Sequence, residues 1–214
     1  MTNFIPIFPL AIVVFPGEQL NLHIFEPRYR QLINECFAAK KPFGIPAVLN
    51  NKVAEMGTLV EIKEISKVYD DGKLDIKTEG LQVFKILEIL SELPDKLYSG
   101  AIVTYPDDIP RTSASLKKKV LQGIRRIHKM LNISKDFIKP DEELGSYDVA
   151  HHVGLSQEDE YRLLELPQEL QRLEFLKRHI AKVTPIMTEM DVLKGKVKMN
   201  GHFKNLEGFD LPKK

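Results

Sequence analysis

The hydrophobic pattern of this chain changes period once, and that change limits the folds open to it. Through residue 105 the apolar runs are short, rich in β-branched residues and separated by Gly, Pro or Asp; they fall at 5–8, 12–15, 45–49, 58–68, 74–78, 82–90 and 97–105. Past the proline-framed stretch 106–110 the spacing becomes helical, with Leu116, Val120, Ile124, Ile127 and Leu131 on one face. The expectation is an α+β chain: a β-rich lobe over 1–105, a helical lobe over 111–194 and a polar, loosely held tail over 195–214. Asp71-Gly72 joins two strand-like runs and predicts a hairpin, because Asp-Gly suits the turn that matches strand twist. Seven short strands at close spacing predict a small barrel rather than a parallel sheet.

One helix interrupts the β lobe. From Glu26 onward, Tyr29, Leu32, Ile33, Cys36 and Phe37 form an amphipathic stripe, and Pro27 suits a first turn where its missing N–H costs nothing. Cys36 on that stripe reads as a structural thiol. In the second lobe, 147–153 reads as a short helix ending at Gly154, and Ser156 caps another with Asp159 three residues on. Pro167 starts or kinks a further helix, whose apolar face is Leu170, Leu173, Leu176, Ile180 and Val183.

A single cysteine excludes a disulfide framework within the chain and a multi-cysteine zinc site, and favours a reducing, cytoplasmic setting. The apolar run 4–16 is too short to span a membrane and is broken by Pro6, Pro9 and Pro16. The net charge is +1, from 31 Lys+Arg against 30 Asp+Glu. That balance conceals a dipole. Residues 111–135 carry eight basic side chains and no acid, whereas 136–160 carry eight acids and only Lys139. On the expected helix 113–131, Lys117, Lys118, Lys119, Arg125, Arg126 and Lys129 could meet a phosphate backbone. The competing reading is a solvated face neutralised by the acidic segment that follows.

Enzyme signatures are scarce. There is no phosphate loop, no dinucleotide-binding glycine pattern and no G-x-S-x-G. Adjacent His151 and His152 would diverge on a helix and could not grip one metal, so no metal and no cofactor is expected. Glu26, beside Phe25 and Tyr29, is the best single acid–base candidate; the plainer alternative pairs it with Arg28, Arg30 or the helix start.

The N-terminal residues carry a more specific signal. Ile5-Pro6-Ile7-Phe8-Pro9-Leu10, then Val13-Val14-Phe15-Pro16-Gly17, then Leu22-His23-Ile24-Phe25-Glu26-Pro27-Arg28-Tyr29 resemble the opening of the Lon protease N-terminal domain, whose pattern runs L-P-L-F-P-L, V-x-F-P-G, L-x-I-F-E-P-R-Y. Lys41 to Gly44, Gly57 to Ile62, Asp71-Gly72, Thr78, Gly80, Phe84 and Ile86 continue the likeness, and Leu163-Leu164-Glu165 with Arg172-Leu173 resembles a later segment. The chain departs from the pattern at Val83, where the family commonly has an arginine before the phenylalanine. It also ends at Lys214, with no ATPase or Ser-Lys peptidase module after the resembling region.

The resemblance implies a PUA-like β pseudo-barrel followed by a helical bundle, acting as a stand-alone, non-catalytic substrate-recognition domain. Its partners would be unfolded or extended polypeptide segments, with Phe15, Phe25, Glu26, Arg28 and Tyr29 as candidate contacts. A separate protease and a second copy of the chain are further partners left open; no membrane is implied. The alternative is a nucleic-acid module using the basic helix, on the analogy that PUA-like barrels include RNA binders. A small hydrolase built on Glu26 ranks last.

Overall fold

The computed structural model describes residues 3–134, 137 and 139–202, with side chains as far as Glu189. The first lobe holds β1 (Asn3–Pro6), β2 (Gln19–Ile24), α1 (Pro27–Ala39), β3 (Phe43–Leu49), β4 (Lys52–Val68), β5 (Leu74–Leu90) and β6 (Gly100–Thr104). The strands form an antiparallel sheet in the order β1-β6-β5-β4-β3, with β2 added to β5. After β1 the chain runs back beside β3. Ile7 and Leu10 make isolated parallel bridges to Gly44 and Ala47, and the N–H of Phe8 donates to the Gly44 carbonyl at 2.8 Å. Pro9, with no N–H to offer, sits between those bridges. The two ends of the strand order are thereby joined and the sheet curls on itself.

The hairpin expected at Asp71-Gly72 closes β4 onto β5. Gly72 has φ of 79°, its N–H donates to the Tyr69 carbonyl at 2.8 Å, and the Asp71 carboxylate accepts from Lys73 N–H at 3.2 Å. The runs 74–78 and 82–90 are one strand, continuous through Gly80. The run 12–15 is not a strand. Its alternation is real but serves two cores: Val13 and Phe15 point into one buried cluster, Val14 into another. The Val14 carbonyl accepts the Thr58 hydroxyl at 2.5 Å. The strand that does form nearby is β2, with Leu20 and Leu22 half-buried, Ile24 buried and Gln19, Asn21 and His23 exposed.

Helix α1 begins at Pro27 and buries Tyr29, Leu32, Ile33 and Cys36 against the sheet, as the stripe predicts, although Phe37 is exposed. The second lobe holds α2 (Ala114–Leu131), α3 (Ser146–Val149) continued by a 3-10 turn (Ala150–His152), α4 (Gln157–Glu165) and α5 (Glu169–His202). The Ser113 and Ser156 side chains cap α2 and α4 by accepting from Leu116 and Asp159 N–H. Gly154 ends the short helical stretch with φ of 68°. Leu131, the last residue of the expected α2 face, is exposed. Helix α5 continues through Gly195, where the sequence places the start of a tail, to His202; the rest of that tail lies outside the described residues.

The lobes share their interior. Val13, Phe15, Ala47 and Met56 from the first lobe lie in one buried cluster with Leu116, Ile124, Leu163 and Leu176 from the second.

Candidate functional site

Of the five residues singled out near the N-terminus, the structure separates two from three. Phe15 is fully buried where the lobes meet. Its ring stacks on Tyr147, with centroids 5.2 Å apart, and lies 4.9 Å from the His151 ring. Tyr29 is buried against Phe8, centroids 4.0 Å apart, with the Arg28 guanidinium 4.5 Å from its own ring centre. Burial raises the Tyr29 pKa above its ordinary value, which Arg28 partly offsets. Neither ring offers a face to a ligand in this arrangement, because both serve as packing anchors.

Phe25, Glu26 and Arg28 are accessible. Phe25 is 57% exposed and follows directly on β2, with its ring 6.3 Å from that of His23. The Glu26 carboxylate accepts from Arg28 Nε at 2.9 Å and lies 2.7 Å from Nη2, so the pairing alternative for this residue holds. It makes no capping bond to α1. Across the sheet, Ile24 pairs with Leu74 and Leu74 with Val68, and Val68 is 67% exposed. Tyr69 meets the edge of the His23 ring at 5.6 Å, and both side chains bond to Asp75, at 2.7 and 2.6 Å. Those bonds, to His23 first, hold the Asp75 carboxyl below its usual range. The result is an aromatic group of Phe25, His23 and Tyr69 at the end of β2, with Val68 separated from that strand by β5. That strand pairs only with β5 among the described strands, so its second edge presents unpaired backbone groups.

The lobe junction, which His151 reaches near the start of β2, holds two groups that sequence reasoning left without a role. Arg172 is 3% exposed and donates to Ser146 Oγ (2.9 Å), the Leu166 carbonyl (2.9 Å), Asp108 (2.8 Å) and Glu169 (3.1 Å), with Tyr147 stacked 4.3 Å away. A guanidinium buried with that many partners fixes the linker after β6 to the start of α5. Its only signal in the sequence was its place in the weak later resemblance. His151 spans the lobes, with Nδ1 2.7 Å from Glu160 and Nε2 3.1 Å from Glu18, while Glu18 also accepts the Phe15 N–H at 2.9 Å. Burial opposes the imidazolium, but the bonds to Glu160 and Glu18 outweigh it and push the pKa up to about 9. Cys36 is buried and its thiol is pushed up to about 11, mainly by desolvation, which removes it as a nucleophile.

The basic helix is partly answered by the acidic segment. Lys117 donates to the Glu142 carbonyl at 2.9 Å and Arg125 to Asp141 at 2.5 Å, while Lys118, Lys119, Arg126 and Lys129 are exposed. Among the described residues no group of three or more His, Cys, Asp or Glu is placed to hold a metal ion, and no helix is long and apolar enough to cross a membrane.

Two solved structures share this architecture. The Lon N-terminal domain protein from Xanthomonas campestris is 25% identical, with a TM-score of 0.60 over 81% of this chain and 96% of that one. The N-terminal domain of a Lon protease from Mycobacterium avium complex is 15% identical and matches in fold, with a TM-score of 0.61 over 84% of this chain and 98% of that one. Residues 5–182 match the sequence profile of the ATP-dependent protease La (LON) substrate-binding domain, a span that takes in both lobes and every cross-lobe contact above. The chain therefore belongs to the Lon substrate-binding domain family.

Proposed function

We propose that this domain recognises protein substrates by holding unfolded or extended segments along the open edge of β2 and against the exposed Phe25 ring at its end. The observation that carries the reading is the juxtaposition of an unpaired strand edge with the exposed Phe25 ring at its end. An extended chain can add to such an edge through its backbone while an apolar side chain rests on the Phe25 ring, which makes recognition tolerant of sequence. The paired Glu26 and Arg28 form a polar rim beside it. The role is recognition rather than catalysis, exercised in the cytoplasm, with a separate protease as the recipient of what is bound. The nucleic-acid reading has less support, because two of its cations are engaged by the acidic segment.

A fluorescence-anisotropy titration with a reduced, carboxymethylated model protein, set against the same protein in its native fold, tests this. Saturable binding of the unfolded form alone is expected, weakened about tenfold by Phe25→Ser, the effect of losing ~1.4 kcal/mol of apolar contact. Equal binding of native and unfolded forms, or none of either, overturns it.

A further inference from the structure

We infer that the groove where the two lobes meet takes extended polypeptide segments that carry basic side chains next to apolar ones. This rests on the proposed polypeptide recognition and adds a preference to it. Three observations converge on the groove, which has a volume of about 320 Å³, at the small end of the range for binding pockets.

The first is a gap in the sheet. On one side β5 is paired with β4 throughout the middle of its length. On the other, the β2 ladder ends at Glu79 and the β6 ladder starts at Lys85. Residues 81–84 have no strand partner there among the described residues, and 81–83 line the groove. The second is an apolar floor, supplied by Met56, Leu81, Val83, Tyr105 and Leu166. The third is the charge around it. Asp107, Asp108 and Glu165 line the same groove. Asp108 is engaged by Arg172, whose charge Glu169 also answers. Asp107 and Glu165 are exposed and have no ion-pair partner among the described residues. Among the described residues Arg172 is the only cation in the groove lining, and it is buried and doubly paired. At position 83, where the resembling pattern carries an arginine, this chain has Val83, which adds floor and no charge. Two unanswered carboxylates over an apolar floor complement a segment with Lys or Arg beside Leu or Val, and oppose an acidic one.

The test uses the full chain and two labelled peptides of identical apolar sequence, one flanked by lysines and the other by glutamates. The lysine peptide should bind at least about tenfold more tightly at low salt, with the margin shrinking as salt rises. Asp107→Asn with Glu165→Gln, two exposed positions whose change leaves the core intact, should bring the two affinities together. Val83→Arg should do the same, and thermal unfolding checks that each variant is folded. Equal binding of both peptides by the wild type, or a preference that survives the double variant, overturns the inference while the binding of carboxymethylated protein still stands. Absence of binding to peptides and carboxymethylated protein alike overturns both.

Discussion

At the scale of single residues, the junction between the lobes turns on an imidazole. His151 was legible only as one of two adjacent histidines unsuited to sharing a metal; its partners, Glu18 and Glu160, are far from it in sequence or on another helix. No local pattern could have joined Glu18 to His151, because the connection exists only once Phe15 is buried under Tyr147. The consequence for pH follows from the sign of the shift. The folded-state pKa of about 9 lies above the ordinary 6.5. The contribution to stability is therefore complete below about 6.5 and is lost as pH rises through about 9. Urea unfolding midpoints measured across that window should fall more steeply for the wild type than for His151→Asn. Equal slopes would show that the bridge carries no linkage. Phe15 teaches the converse lesson. Its aromatic character and neighbouring Pro16-Gly17 turn were plain in the sequence, but whether such a ring faces solvent or a second lobe is decided by a surface more than a hundred residues away.

Among the elements, the features written in local chemistry were readable and those that depend on a distant partner were not. The Asp71-Gly72 turn, the Pro27 helix start and the Ser156 cap each follow from side-chain chemistry within a few residues. The run 12–15 has strand-like alternation without a strand, because its two faces enter two cores and no neighbouring strand takes up its backbone. β2 shows the same alternation with a partner, and its period-2 pattern Leu20, Leu22, Ile24 was the signal that would have found it. Gly80 ties these elements together. Its N–H donates to the Glu18 carbonyl and its carbonyl accepts from Gly17, both at 2.8 Å. A Cβ there would stand 2.3 Å from the Phe15 carbonyl oxygen. Gly80→Ala should force the 15–18 turn off β5 and cost about 1–3 kcal/mol in chemical denaturation, the range for overpacking a tight site. Stability unchanged within error would mean that this turn yields without loss.

Across the whole molecule, the change of hydrophobic period marked where strands give way to helices but gave no hint that the two stretches share an interior. Val13, Phe15, Ala47 and Met56 are core residues of the helical lobe as much as of the sheet. Tyr161 OH accepts the Met56 N–H at 3.0 Å and Gln157 donates to the Val48 carbonyl at 3.2 Å, adding polar ties across the same boundary. One cooperative unfolding transition is therefore expected, with far-ultraviolet circular dichroism and tyrosine absorbance coincident. Two separated transitions would show that the lobes are thermodynamically independent. The shared core closes Phe15 off, while Tyr29 is closed off in the separate cluster between α1 and the sheet; the outer edge of β2 and the gap in β5 remain as open backbone among the described residues.

Hydrogen exchange on the full chain, with and without a saturating carboxymethylated protein, tests the claim of edge recognition most directly. Exchange should slow at the alternate amides of Gln19–Ile24 that face away from β5, and at Phe25, when the unfolded chain is bound, because strand addition gives those outward N–H groups acceptors they lack. Protection confined to α2 and the acidic segment, with β2 exchanging as before, would contradict the account.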